Sequence, residues 1–102
     1  MGKGPSTIYK ECTTKAINYD KNLALNANVK DVVREINEKY GYASLLELDV
    51  KRAFFENNYG TKKTDKALGQ WMDLSLVGRV YYNGYWALLF LDHPTRIKGA
   101  TE

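Results

Sequence analysis

Residues 62–91 read KKTDKALGQWMDLSLVGRVYYNGYWALLFL, with three lysines (Lys62, Lys63 and Lys66) in the first five positions. Thr61 and Thr64 stand before and among them, and an amide follows at Gln70. Clustered ammonium groups attract anions, and their place on the surface matters more than the total charge. The formal net charge of +3 is mild; it permits nucleic-acid binding without requiring it. Residues 1–28 carry four lysines against two acids, and residues 61–79 carry four basic groups, Arg79 among them, against Asp65 and Asp73. The stretch between, 29–60, has five basic and six acidic groups, the balance of a solvated helix surface.

Bond-making chemistry has few candidates. Cys12 is the single cysteine, and no base is placed beside it, as a thiol nucleophile would need. One cysteine also excludes an internal disulfide and fits a reducing cytoplasmic setting. His93 is the single histidine, and with Cys12 it falls short of a four-ligand zinc set. There is no glycine-rich phosphate loop, serine elbow or convincing pair of carboxylates. The chain therefore reads as a non-enzyme with no cofactor and no metal. No apolar run approaches the roughly 20 residues that cross a bilayer, so no membrane role is expected. At 102 residues, 44% apolar and 26% charged, it reads as one globular domain.

The elements that must carry these residues follow from spacing. Asn28 is a good N-cap; Val29, Val32, Val33, Ile36 and Tyr40 then share one helical face up to Gly41, predicting a first helix over 29–40. Residues 42–48 are a short strand or an extended connector. Asp49 is expected to cap a second helix that turns Val50, Ala53 and Phe54 inward, with Gly60 as the left-handed stop. Thr61 or Thr64 caps a third helix whose inner face holds Ala67, Leu68, Trp71, Met72 and Ser75. Gly69 in its interior suggests a close approach of two backbones. Two β-rich runs then flank Asn83-Gly84, the strongest hairpin signal available from sequence. In the second run Trp86, Leu88 and Phe90 face one way and Tyr85, Ala87, Leu89 and Leu91 the other, until Asp92-His93-Pro94 breaks the strand. Residues 1–28 read as a partly flexible N-terminal arm, with a short helix bearing Ile8, Cys12, Ala16 and Ile17 as the alternative. Residues 93–102 read as a tail.

This order, and above all ALGQWMDLSLVGRVYYNGYWALLFL, resembles the winged helix-turn-helix superfamily over about residues 29–91, within a domain expected to span 29–92. Leu74, Leu76, Val77, Gly78 and Arg79 match its passage from third helix to first wing strand, and Asn83-Gly84 its wing tip. The resemblance implies an α+β domain of three helices followed by a two-stranded hairpin. It implies double-stranded DNA as partner, with the third helix in the major groove. Lys62, Lys63 and Lys66 would then neutralise phosphates, Thr61 and Thr64 donate hydrogen bonds to them, Gln70 read adenine, and Arg79 clamp the backbone. A protein–protein module is the alternative, docking a partner on the hairpin, on its YWALLFL edge, or in the groove beside the N-terminal arm. A third reading stacks single-stranded bases on Tyr81, Tyr82, Tyr85 and Trp86. The second β run is apolar on both faces, which predicts a homodimer if no part of the chain covers the second face.

Overall fold

A computed structural model of the chain describes residues 2–23 and 25–94. Four α-helices and three strands follow one another as α1 (Pro5–Ile17), a 3-10 turn (Tyr19–Lys21), α2 (Ala27–Tyr40), β1 (Tyr42–Leu46), α3 (Glu47–Glu56), α4 (Thr61–Asp73), β2 (Val77–Tyr82) and β3 (Tyr85–Pro94). The α+β class holds, while the expected three helices and two strands become four and three.

The additional helix is α1, which replaces most of the expected arm. Proline in its first turn presets the backbone for a helix. Ile8, Cys12 and Ala16, four residues apart, are buried on one side, and Ile17 is 52% exposed. Thr13 and Thr14 weaken a free helix, but here each hydroxyl donates back to the carbonyl four residues earlier, to Tyr9 at 2.9 Å and to Lys10 at 3.0 Å. Burial of the apolar face outweighs the propensity that argued against helix.

The remaining boundaries shift by a few residues for local reasons. Asn26, not Asn28, caps α2, its Oδ1 accepting from the Val29 N–H at 2.9 Å. Gly41 ends α2 at φ 81°, as the sequence predicts. The chain passes from β1 directly into α3, so extended Leu46 takes the N-cap position and Asp49 lies inside the first turn instead of capping it. One Asp49 oxygen is buried without a bond, and burial raises its carboxyl above the ordinary range. Asn58 at φ 67° takes the left-handed step expected of Gly60, which instead sits extended at φ −82° as the N-cap of α4. A Cβ on Gly69 would meet nothing within 4 Å, so no close backbone approach explains that glycine.

The sheet is antiparallel in the order β1-β3-β2. Asn83 (φ 50°) and Gly84 (φ 89°) make the expected tight turn, and Tyr82 pairs with Tyr85 across it. Because β3 is central, YWALLFL has no free edge for an added strand, contrary to expectation. His93 and Pro94 continue β3 instead of breaking it: the register shifts between the Ala43–Phe90 and Tyr42–Pro94 pairs, with the intervening Leu91, Asp92 and His93 bulging on β3, so Pro94 stands opposite Tyr42. The rest of the expected tail lies outside the described residues.

Both faces of β3 are covered by the chain itself. On one, Leu88 and Phe90 join Ile8 and Cys12 of α1, Val50 and Phe54 of α3, and Leu68 and Trp71 of α4. On the other, Ala87 and Leu89 pack with Leu46 under Ile36 of α2, flanked by Val29, Val32 and Leu91. The uncovered face that motivated a homodimer is therefore filled by α2. A buried polar tie holds α2 to the sheet, the Ser44 hydroxyl donating to Asn37 Oδ1 at 2.6 Å.

If α1 is part of the core, Ile8→Ala should cost about 2–5 kcal/mol in urea unfolding. Ile17→Ala on the same helix should stay within about 0.5 kcal/mol. Equally small losses at both positions would mean that the domain does not need α1.

Candidate nucleic-acid interface

Helical spacing divides α4 into two faces. Thr64, Ala67, Leu68 and Trp71 are buried, so Lys62, Lys66 and Gln70 stand on the opposite, exposed side together with Asp73. Trp71 supplies the anchor. Its ring lies 5.0 Å from Tyr9 of α1 in a T-shaped contact and 5.3 Å from Phe54 of α3. With its inner face held from two helices, α4 has one fixed outward face.

Among the described residues, Lys62, Lys63 and Lys66 form no ion pair. The first turn of α4 has neither a side-chain cap nor an acidic residue, so its free N–H groups and partial positive charge are uncompensated. Asp65, one position further on, is exposed toward the hairpin flank, beside Met72 and Arg79.

Three expectations need correcting. Thr64 is fully buried, its hydroxyl enclosed without a hydrogen-bond partner, so it cannot reach a phosphate. Neither Thr61 nor Thr64 caps α4, because Gly60 holds that position; Thr61 is exposed at the first helical residue. Arg79 is already engaged. Its Nε donates to Glu47 Oε1 at 2.6 Å, and its guanidinium carbon lies 3.7 Å from the centre of the Trp86 ring. The structure thus gathers Lys62, Lys66 and Gln70 on one surface with Lys63 along its edge near Gln70, leaves Thr61 exposed on the other side of the first turn, removes Thr64 to the core and ties Arg79 to α3.

The Glu47 carboxylate also meets Lys51 Nζ at 3.1 Å. Burial alone would raise its pKa, but the hydrogen bonds from Arg79 and Lys51 outweigh this and hold it below its ordinary 4.5. Beyond this bridge the hairpin is aromatic. Tyr81 (59% exposed) meets Trp86 (44% exposed) edge to face at 4.9 Å. Trp86 points to the same side as Leu88 and Phe90, as expected, but lies past the end of the helical layer that buries those two.

Lys63 leans to the other flank, where it lines an open cleft with Lys3, Asn57, Asn58 and Tyr59. Lys3 escaped the sequence reading. By sequence Asn57 belongs to the end of the second helix and Tyr59 to the Asn58-Tyr59-Gly60 stop, and no periodicity links them to residues so far upstream. Cys12 is enclosed, and its thiol is pushed up to about 11 by burial, with Lys15 opposing and Glu11 adding to the shift. Among the described residues no cluster of His, Cys, Asp and Glu could hold a metal ion, and no helix is long and apolar enough to cross a membrane.

No protein-family model matches the chain, and no curated protein or solved structure is significantly similar to it.

The Glu47 bridge carries a pH signature. A carboxyl whose folded pKa is depressed stabilises the fold fully above its unfolded pKa and loses that contribution as pH falls through the folded value. The stability gap between wild type and Glu47→Gln should therefore be steady near neutral pH and narrow below its ordinary 4.5. A gap unchanged down to about pH 3 would show that the Arg79 bridge contributes nothing. Cys12 in the native protein should resist an aromatic disulfide reagent at mildly alkaline pH and react fully only in denaturant; fast native labelling would contradict its burial.

Proposed function

We propose that the chain is a non-enzymatic double-stranded DNA-binding protein of winged helix-turn-helix architecture, with α4 in the major groove, serving transcription or replication control. The observation that carries this reading is the outward face of α4. Lys62, Lys66 and Gln70 are exposed on one side together with Asp73, among the described residues no carboxylate pairs with the lysines, and the face begins at an uncompensated helix N-terminus. The element order supports the architecture. From α2 onward it runs helix, strand, helix, helix, hairpin, with the early strand returning to pair beside the last one. On this reading α1 is an addition that braces α4 from behind through Tyr9 and Trp71.

The contact set is narrower than the sequence implied. Lys62, Lys63 and Lys66 neutralise phosphates, Thr61 donates from the first turn, and Gln70 presents a bidentate amide to adenine. Arg79 braces the hairpin against α3 instead of clamping DNA, and the hairpin supports the helix without a basic tip.

A separate observation favours the protein-docking alternative: Tyr81 and Trp86 stand exposed as an aromatic pair. Such a pair suits a protein partner as well as a base. Trp86→Ala should abolish that kind of docking and leave binding through α4 intact.

The test is a titration with duplex DNA at several salt concentrations. Replacing Lys62, Lys63 and Lys66 together by alanine should weaken binding and flatten the log–log salt slope by about 2.7, if each neutralises one phosphate. Wild-type affinity in the triple variant would remove α4 as the contact surface.

A further inference from the structure

We infer that the second contact with the DNA backbone lies on residues 2–4, seated beside Lys63, and not on the hairpin; this rests on the DNA-binding reading of α4. The leader ahead of α1 is fastened to the turn between α3 and α4 at three points. The Lys3 N–H donates to Asn57 Oδ1 at 3.2 Å. The Tyr59 hydroxyl donates to the Lys3 carbonyl at 3.2 Å. A Cβ added to Gly2 would lie 2.5 Å from the Asn57 carbonyl oxygen, so the leader rests on the backbone of the turn where only glycine fits. Behind it α1 is locked into the core through Ile8, so this seat is fixed relative to α4.

The seating forms an open cleft of about 440 Å³, lined by Lys3, Lys63, Asn57, Asn58 and Tyr59 with Gly2 and Gly4. No carboxylate lines it. Two ammonium groups and two amides offer donors to a phosphodiester, although one Asn57 N–H is spent on the Ala53 carbonyl and the Tyr59 hydroxyl on Lys3. Gly4, open on its side-chain face, lets an oxygen approach the main chain closely. Lys3 Nζ also pairs with Glu11, but both side chains are about half exposed, at 51% and 42%. An exposed pair of this kind holds weakly and yields to a phosphate. The opposite flank of α4 is charge-balanced. There Asp65 stands beside Glu47, and the cations Arg79 and Lys51 are both bound to Glu47. Positive potential therefore extends from α4 toward the leader, and a DNA strand leaving the major groove on that side meets Lys63 and then Lys3.

The test uses the full chain, a fluorescently labelled duplex oligonucleotide of mixed sequence, and anisotropy titrations across a salt series. Lys3→Ala should flatten the log–log slope by about 0.9, the share of one phosphate. Gly2→Ala leaves every side-chain charge in place but unseats the leader, and it should weaken binding in the same direction; Tyr59→Phe, which removes one fastening hydroxyl, should do so more mildly. Arg79→Ala should leave the slope unchanged. Wild-type binding by Lys3→Ala and Gly2→Ala, with the Lys62/Lys63/Lys66 triple variant weakened, overturns this inference and leaves the role of α4 standing. Loss at Lys3→Ala without loss at Gly2→Ala overturns the seated cleft. A flattened slope in Arg79→Ala places the second contact on the hairpin and overturns the inference as well. Wild-type binding by the triple variant overturns the DNA reading itself, and the inference with it.

Discussion

The packing of Trp71 between Tyr9 and Phe54 is the constraint on which the rest of the molecule depends. The indole draws α1, α3 and α4 onto one face of the sheet. Tyr9 extends the link by meeting Phe90 at 5.7 Å and donating its hydroxyl to Asp92 at 2.7 Å. Burial, joined by that bond and the Asp92 charge, raises the Tyr9 phenol well above its ordinary range, so it remains a donor. Offset and edge-on aromatic contacts add direction to what would otherwise be plain apolar burial. The direction matters because α4 has one useful face, and a rotation of a single residue's step would turn its lysines toward the hairpin.

Electrostatics then divides the surface around α4. Most cations of the middle of the chain are matched by acids, as with Arg34 and Glu38 or Lys51 and Glu47, and so is Arg79 on the hairpin. The lysines of α4 are not. A charge left unmatched on a held helix is a different physical object from one of a solvated pair, even though both count equally toward net charge. The sum of +3 therefore hides the asymmetry that the fold creates.

Much of this was legible before any coordinates. The periodicity of Val29, Val33 and Ile36 located α2, Asn83-Gly84 located the hairpin turn, and alternation in β3 sorted Leu88 from Leu89. These signals are local, since each arises from residues within one or two turns of each other. What escaped depends on distant partners. Helix α1 has a weak pattern of its own, and it became a core element only because Trp71 and Phe90 stand opposite it. Thr64 carried no mark separating a buried hydroxyl from a surface one. Arg79 looked free because its partner Glu47 is 32 residues away. Lys3 looked loose because its seat on Asn57 and Tyr59 is formed by a turn more than fifty residues downstream.

The central place of β3 has a consequence for how the molecule is assembled. Both helical layers rest on a wall that is the last element described, and its far neighbour β1 is separated from it by the whole of α3, α4 and β2. Local helices form early and cheaply, whereas a pairing across so long a stretch requires a large loop to close first. The helices are 10 to 14 residues long, short enough to be marginal alone, so their apolar faces are held only once β3 is in place. The ordering of the chain is cooperative from end to end, and the surface of α4 takes its final orientation only when the last strand is in place.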